Sequence, residues 1–322
     1  MSNKQFIFLL MILLHTVVGC NSPSVRTNNS EVLTIATLKG PSSMGMIKLI
    51  DSLSQESEQE FSVKILNEPI QVRKMVIDGS ADFAILPTTM ASIMYNKGIN
   101  YKLAAIPVWG TLYLFGSDTT ITEWEHLKGK KVNLMAKGMT PDVLFRYLLS
   151  ANGINPNNDL TLDYSFPTHI DLANAVAAGQ ADLGVISEPM VSLVMQRNRS
   201  VHPIFDLNKE WEKQLSMPIA QTALIIKNET IKNYPERVTE MLKSYKASTK
   251  WVNQFPDTAA KLVVKHGILP NFDVAYHAIP RSNLKFAKAK DIRGEIEAYL
   301  NIFYQMNPDI IGGKIPDENF YH

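Results

Sequence analysis

The stretch Val32-Leu33-Thr34-Ile35-Ala36-Thr37-Leu38-Lys39-Gly40-Pro41-Ser42-Ser43 decides the fold. It is an apolar run of strand length, then Lys-Gly, then small hydroxyl residues that open an amphipathic helical pattern. The run Val132-Asn133-Leu134-Met135-Ala136-Lys137-Gly138-Met139-Thr140-Pro141 repeats that order. Each predicts a helix N-terminus at the end of a strand, with free N–H groups pointing outward beside Ser or Thr hydroxyls.

The duplication extends to Asp78-Gly79-Ser80-Ala81-Asp82-Phe83-Ala84-Ile85-Leu86, echoed by Ala178-Gly179-Gln180-Ala181-Asp182-Leu183-Gly184-Val185-Ile186. Two matches in the same order and at nearly the same offset predict two similar α/β lobes facing each other across a cleft. Around them the pattern alternates. Strands are expected at 32–38, 61–66, 83–86, 103–108 and 111–115, with helices at 43–53, 69–78 and 88–96. The second lobe repeats this with strands at 132–136, 162–166, 183–186 and 202–206 and helices at 141–151, 170–178 and 189–197. Such a rhythm predicts mainly parallel sheets covered on both faces, with ligands beyond the carboxyl ends of the strands. A strand at 219–226 should return to the first lobe, giving two crossovers and a hinge. The remainder reads as helical (235–253, 257–266 and 287–306), packed on the first lobe's outer face. The lobes are then 31–112 with 217–322, and 113–216.

The 322 residues suffice for two domains, and a net charge of +1 supplies no basic field for nucleic acid. A single cysteine, Cys20, rules out an intrachain disulfide and cysteine metal sites. The histidines at 126, 169, 202, 266, 277 and 322 show no metal spacing, and no cofactor is expected. Residues 1–20 read as a leader: Lys4, an apolar segment from Phe6 to Leu14, then Val17-Val18-Gly19-Cys20. Small residues before a cysteine resemble the bacterial lipobox, which would make Cys20 the lipidated N-terminus of a membrane-anchored protein. The alternative is an ordinary signal peptide or short anchor. Residues 21–30 read as a polar tether.

Ligand candidates follow from the two helix starts. Ser42, Ser43 and Thr140, with Met44, Gly138 and Met139 beside them, are placed to hold a carboxylate, a sulfonate or the edge of a polar heterocycle. Each hydroxyl is equally suited to plain N-capping. Lys39 adds positive charge. Pro87-Thr88-Thr89 and Ser187-Glu188 occupy equivalent places after the duplicated strands; the first offers hydroxyls, the second a carboxylate suited to an amine or aminopyrimidine. For Glu188 the competing role is to complement a helix dipole. Trp109, where a crossover begins, is placed to stack on a planar ligand or to pack in the core. Gln221 lies on the return crossover.

With these residues in place, the chain resembles a type II periplasmic solute-binding protein of an ABC importer, most of all the nitrate/alkanesulfonate/taurine group, which includes binders of thiamine-pyrimidine precursors. The resemblance covers residues 31–322. It rests on Lys39-Gly40-Pro41-Ser42-Ser43-Met44-Gly45, residues 82–87, Leu127-Lys128-Gly129-Lys130, Ala181-Asp182 with Glu188-Pro189, and Gly312-Gly313-Lys314. It implies two Rossmann-like lobes joined by two crossover strands and a monomer in the cell envelope, facing the periplasm or exterior. It also implies a small polar or anionic solute, a permease and ATPase as partners, and no catalysis. The alternatives are an exported ligand sensor and an enzyme on the same fold, such as a pyrimidine-precursor synthase. The enzyme reading lacks a nucleophile–base pair.

Overall fold

A computed structural model describes residues 31–57 and 59–322. The expected leader with Cys20, and the tether, lie outside the described residues. The chain enters β1 (Leu33–Leu38), then two short helices, α1 (Pro41–Gly45) and α2 (Ile47–Leu53), separated at Met46. β2 (Phe61–Leu66), α3 (Pro69–Ile77), β3 (Phe83–Pro87), α4 (Thr88–Asn96) and β4 (Tyr101–Val108) complete the first alternation. β5 (Leu112–Gly116) leads to a second: β6 (Lys131–Asn133), α5 (Thr140–Ala151), β7 (Thr161–Asp163), α6 (His169–Ala177), β8 (Leu183–Ser187), α7 (Met190–Arg197) and β9 (His202–Asp206). Helix α8 (Leu207–Leu215) brings the chain back to β10 (Thr222–Lys227). The remainder is α9 (Asn228–Asn233), α10 (Pro235–Gln254), α11 (Pro256–Lys265), α12 (Phe272–Arg281), β11 (Leu284–Lys288) and α13 (Arg293–Met306).

Among the described residues the strands form two sheets, one of six in the order β11-β4-β10-β3-β1-β2 and one of five in the order β7-β6-β8-β5-β9. The two-lobed α/β expectation holds, and the duplication is visible in the topology. β1 runs parallel to β2 and β3, and β6 parallel to β7 and β8. β10 inserts antiparallel between β3 and β4, while β5 inserts antiparallel between β8 and β9. Each sheet therefore contains a βαβαβ unit and one strand arriving from the other lobe. The chain crosses twice, between β4 and β5 and between α8 and β10.

Alternation along each strand divides the core. On β1, Ile35 joins a cluster with Met241 and Tyr245 of α10, while Ala36 joins another with Val72 and Val76 of α3. Phe115, Leu172, Val176 and Ile186 form a third cluster on the second sheet. Burying each such large apolar side chain stabilises by roughly 1.5–3 kcal/mol, which holds the sheets rigid enough to present their carboxyl ends as fixed walls.

Several expectations are corrected. The sheets are mixed, not mainly parallel, because a strand crossing from the opposite lobe enters running the other way. The segment at 284–288 is a strand where helix was expected to begin at 287, since it pairs antiparallel with the open edge of β4. Helices α8 and α12 were not anticipated. The predicted strand at 132–136 stops at Asn133, and Ala136 adopts a left-handed φ of 55° that no strand tolerates. The strand expected from 219 starts at Thr222, because residues 219–221 make the crossing. Helix α12, outside the expected set, leaves the first lobe's outer face. Asn271, capping α12, exchanges two side-chain hydrogen bonds with Gln196 of α7, at 3.1 and 3.0 Å, and so reaches the second lobe.

Candidate functional site

The carboxyl ends of β1 and β3 on one lobe and of β6 and β8 on the other converge, as expected of open α/β sheets. Two close approaches between the lobes lie at these ends. The hydroxyls of Thr89, in the first turn of α4, and Thr140, first residue of α5, lie 2.9 Å apart. On the Gly40 side, a Cβ added to that residue would stand 3.4 Å from Cδ of Pro189. Gly40 has φ 133° and ψ −142°, a conformation open to glycine alone, so the loop needs Gly both for its turn and for this approach.

Three buried polar atoms near these strand ends have no protein hydrogen-bond partner: Oγ1 of Thr37 on β1, Oγ1 of Thr88 opening α4, and Oδ1 of Asn133 ending β6. Thr37 and Thr88 are fully buried and Asn133 nearly so. Buried polar atoms usually have a partner, and these three, two hydroxyls and an amide oxygen, lie toward the converging strand ends; other such atoms, among them Trp211 Nε1 and the Tyr299 hydroxyl, lie elsewhere in the fold. Thr37 and Asn133 were missed from sequence. The available signal was a polar side chain set inside an otherwise apolar strand.

The predicted residues divide by place. Lys39 is exposed on the loop entering α1. Ser42 is buried, with its carbonyl accepting from the Tyr245 hydroxyl at 2.9 Å. The Ser43 hydroxyl accepts from Gly40 N–H at 3.1 Å and donates to Gly40 carbonyl at 3.0 Å, so it is engaged in closing the turn. Met44 is fully buried in the core with Ile35. Pro87 ends β3, and the Thr88 N–H donates to the Gln221 carbonyl at 3.0 Å. On the other lobe, the Gly138 N–H donates to Asp142 Oδ2 at 2.7 Å. Asp142 Oδ1 also accepts from Arg146 and Tyr164, at 2.8 and 2.5 Å. This bracing fixes the loop that presents Thr140. Met139 is half exposed at the same turn.

Four more predicted residues belong to the crossings and to the end of β8. Trp109 is buried in the core, its indole N–H donating to the Lys285 carbonyl at 2.7 Å. Gln221 bonds Thr111 on the other crossover. Ser187 ends β8, and the Glu188 carboxylate is almost wholly buried. One Glu188 oxygen accepts from the Ser192 hydroxyl at 3.0 Å, the other from the Ser192 N–H at 3.2 Å, and Arg281 of α12 stands 3.7 Å away. Burial pushes the Glu188 carboxyl up to about 7, against the opposing pull of Ser192 and Arg281.

Two concavities lie elsewhere. One of about 520 Å³, lined by Lys48, Phe61, Glu240 and Trp251, opens on the outer face between α2 and α10. The other, of about 360 Å³, is lined by Trp109, Asn208 and Asn283. Neither is lined by Thr89 or Thr140.

The lobe junction therefore combines hydroxyls, an amide and the first turns of α4 and α5. Each helix start carries about half a positive charge. Asp142 in the first turn of α5 already sets one carboxylate at that end, paired with Arg146, and the hydroxyls and N–H groups around it are suited to holding a small anion without bonding chemistry.

Comparison with known proteins agrees with the two-lobed fold. Residues 41–260 match the family model described as ABC transporter, phosphonate, periplasmic substrate-binding protein. A Bacillus subtilis (strain 168) protein named for binding, YtlA, is 24% identical over 143 residues, 44% of this chain. The match spans only 41% of YtlA's own length. The crystal structure of an ABC transporter from Parabacteroides distasonis is 26% identical, with a TM-score of 0.79 over 90% of this chain and 98% of its own. The periplasmic aliphatic sulphonate binding protein SsuA from Escherichia coli shares the fold, with a TM-score of 0.70 at 17% identity over 88% of this chain and 90% of its own. With the family model covering well over half its length, the chain belongs to the ABC-transporter periplasmic substrate-binding proteins of the phosphonate family, a family of binding proteins and not of enzymes.

Proposed function

We propose that this protein is the solute-binding component of an ABC importer and closes its two lobes on a small anionic solute of the phosphonate, sulfonate or nitrate class. The observation that carries the reading is the meeting of α4 and α5 at Thr89 and Thr140, with the unpartnered hydroxyls of Thr37 and Thr88 on the first lobe. An anion there would accept from the hydroxyls at the two helix starts, and closure would exclude water. Ser42, Thr88, Thr89, Gly138 and Thr140 form the contact set, with Lys39 supplying long-range attraction at the loop. Glu188 is sequestered by Ser192 and Arg281, which removes a carboxylate that would repel an anion and weakens the case for an aminopyrimidine.

In this reading residues 31–112 with 217–322 and residues 113–216 are the two closing bodies. Lipidated Cys20 and the 21–30 tether hold them at the membrane beside a permease and its ATPase.

Thermal melting of residues 22–322 against phosphonates, phosphate, sulfonates, nitrate and aminopyrimidines tests the solute. A ligand at 100 times its Kd should add about 2.7 kcal/mol, a rise of several degrees. A response confined to aminopyrimidines or amines sinks the anion assignment. For the anchor, Cys20→Ser should move the full-length chain from the membrane to the soluble fraction; an unchanged distribution overturns it.

A further inference from the structure

Helix α7 serves two cores. Val191 and Val194 are buried in the second lobe's cluster with Phe115, whereas Leu193 between them packs against the first lobe's cluster, which holds Val274 and Ile279 of α12. The polar residues divide in the same way. Glu188, Ser192 and Gln196 recur at intervals of four and so form one stripe along α7 and its entry. Each of the three meets α12. Arg281 donates to the Ser192 hydroxyl at 3.1 Å and stands 3.7 Å from Glu188, while Gln196 exchanges its two bonds with Asn271. The stripe therefore meets both ends of α12, and the two helices run antiparallel across the lobe boundary.

The two ends of this seam differ. The Arg281 end lies at the hinge. There the Glu188 N–H donates to the Thr111 carbonyl, the Tyr113 hydroxyl to the Arg281 carbonyl at 3.1 Å, and the Trp109 N–H to the Asn283 carbonyl at 3.1 Å. The Glu188 side chain is fully buried. Gln196 lies two helical turns further on, about 12 Å along α7, and is exposed.

A rotation of one lobe about the crossings displaces each point in proportion to its distance from them, so the outer end separates while the inner end holds. The chemistry at each end matches that motion. Two surface amides exchange each other for water at little net cost. A buried carboxylate loses its partners only at a large penalty. Among the described residues, Leu193 is the single apolar side chain of α7 that joins the first lobe's cluster, a modest contact of the kind that parts when domains move.

We propose that α7 and α12 form a side latch of the closed form, anchored at Arg281 beside the hinge and parting at Gln196 and Asn271 as the lobes open. The strength of the outer pair then sets the balance of open and closed chains from outside the solute's contact set, and with it the apparent affinity. The inference rests on the reading in which the two lobes close on a solute.

Two double changes test it. Asn271→Asp keeps the oxygen that caps α12 by accepting from the Val274 N–H at 3.0 Å. Joined to Gln196→Glu it sets two carboxylates face to face; joined to Gln196→Lys it sets an ion pair. In the full chain carrying Cys20→Ser, spin labels go on Ile70→Cys and Ile170→Cys, which are exposed at the starts of α3 and α6. These starts follow β2 and β7, the strands farthest from the crossing strands in each sheet. Pulsed electron-spin distance measurements are then made with no solute added. The like-charge pair should raise the ratio of long to short distances at least threefold over the parent. The ion pair should return it to the parent's value or below, and about 1 M salt should bring the two variants together. One distribution shared by all three proteins overturns the latch and makes the seam a fixed pivot. Equal lengthening in both variants also overturns it, since damage and not charge would then be the cause. Absence of an anion-induced melting shift would sink the solute assignment and leave the latch standing, whereas unchanged distances would remove the latch alone.

Discussion

Gln221 grips Thr111 with both ends of its side-chain amide: Oε1 accepts the Thr111 N–H at 2.7 Å and Nε2 donates to the Thr111 hydroxyl at 2.9 Å. The two residues lie on the two chain crossings, so the pair ties one hinge strand to the other. Around it the Gly110 N–H donates to the Ile219 carbonyl at 3.0 Å, and the Glu188 N–H to the Thr111 carbonyl at 3.0 Å. The hinge is thus a hydrogen-bonded unit from which the walls of the cleft extend.

Gln221→Ala leaves the buried Thr111 N–H without its acceptor. An unsatisfied buried donor costs about 1–3 kcal/mol. Urea denaturation should show a lower midpoint at unchanged slope, and an unchanged midpoint would show that the clamp is not structural.

Gly110 permits a second close approach at the same hinge. A Cβ there would stand 2.3 Å from Oδ1 of Asn208. Asn208 cannot easily yield, since its Oδ1 accepts from the Ile219 N–H at 3.1 Å and its Nδ2 donates to Glu212 at 2.8 Å. Gly110→Ala should cost about 1–3 kcal/mol through overpacking. Combined with Asn208→Gly, which also removes the Asn208 Cβ that would stand 2.6 Å away, it should cost less than the two single changes added together. Additive costs in thermal melts would place the strain elsewhere.

Glu188 makes stability depend on pH. Its carboxyl is raised from 4.5 to about 7 by burial, so the folded protein holds a proton that the unfolded chain has released. The contribution is fully present below pH 4.5 and is lost as pH rises through 7, amounting to about 3 kcal/mol by pH 8. Glu188→Gln keeps the shape without the titration. It should match the parent near pH 5 and melt higher at pH 8, with Arg281 left hydrated at the lobe junction. Parallel melting curves for the two proteins from pH 5 to 8 would contradict a raised Glu188.

Thr89 and Thr140 are predicted to act as one unit in closure. Each change to Ala removes the same hydroxyl contact, so the double change should cost less than the sum, with a coupling of about 0.5–1.5 kcal/mol in anion binding. Calorimetric titration of the four proteins with the anion that shifts the melt measures this. Zero coupling would mean that the two hydroxyls do not meet in the bound form.

The sequence by itself determined what depends on local order. An apolar run followed by Lys-Gly and a proline or hydroxyl residue dictates a strand and a helix start, whatever surrounds it. Its repetition at 32–43 and 132–141 dictates two lobes of one design, and the repeat of 78–86 at 178–186 locates equivalent turns. Tertiary structure alone decided the partners of polar groups, because hydrogen bonds form between residues far apart in the chain. Ser43 is consumed by its own turn, while Glu188 is matched to Ser192 and Arg281. Thr111 finds Gln221 across 110 residues. β11 is a strand because β4 offers it an open edge, a relationship that no periodicity within Leu284–Lys288 contains. Local periodicity records which face of an element is buried; only the folded chain settles what each buried polar group meets there.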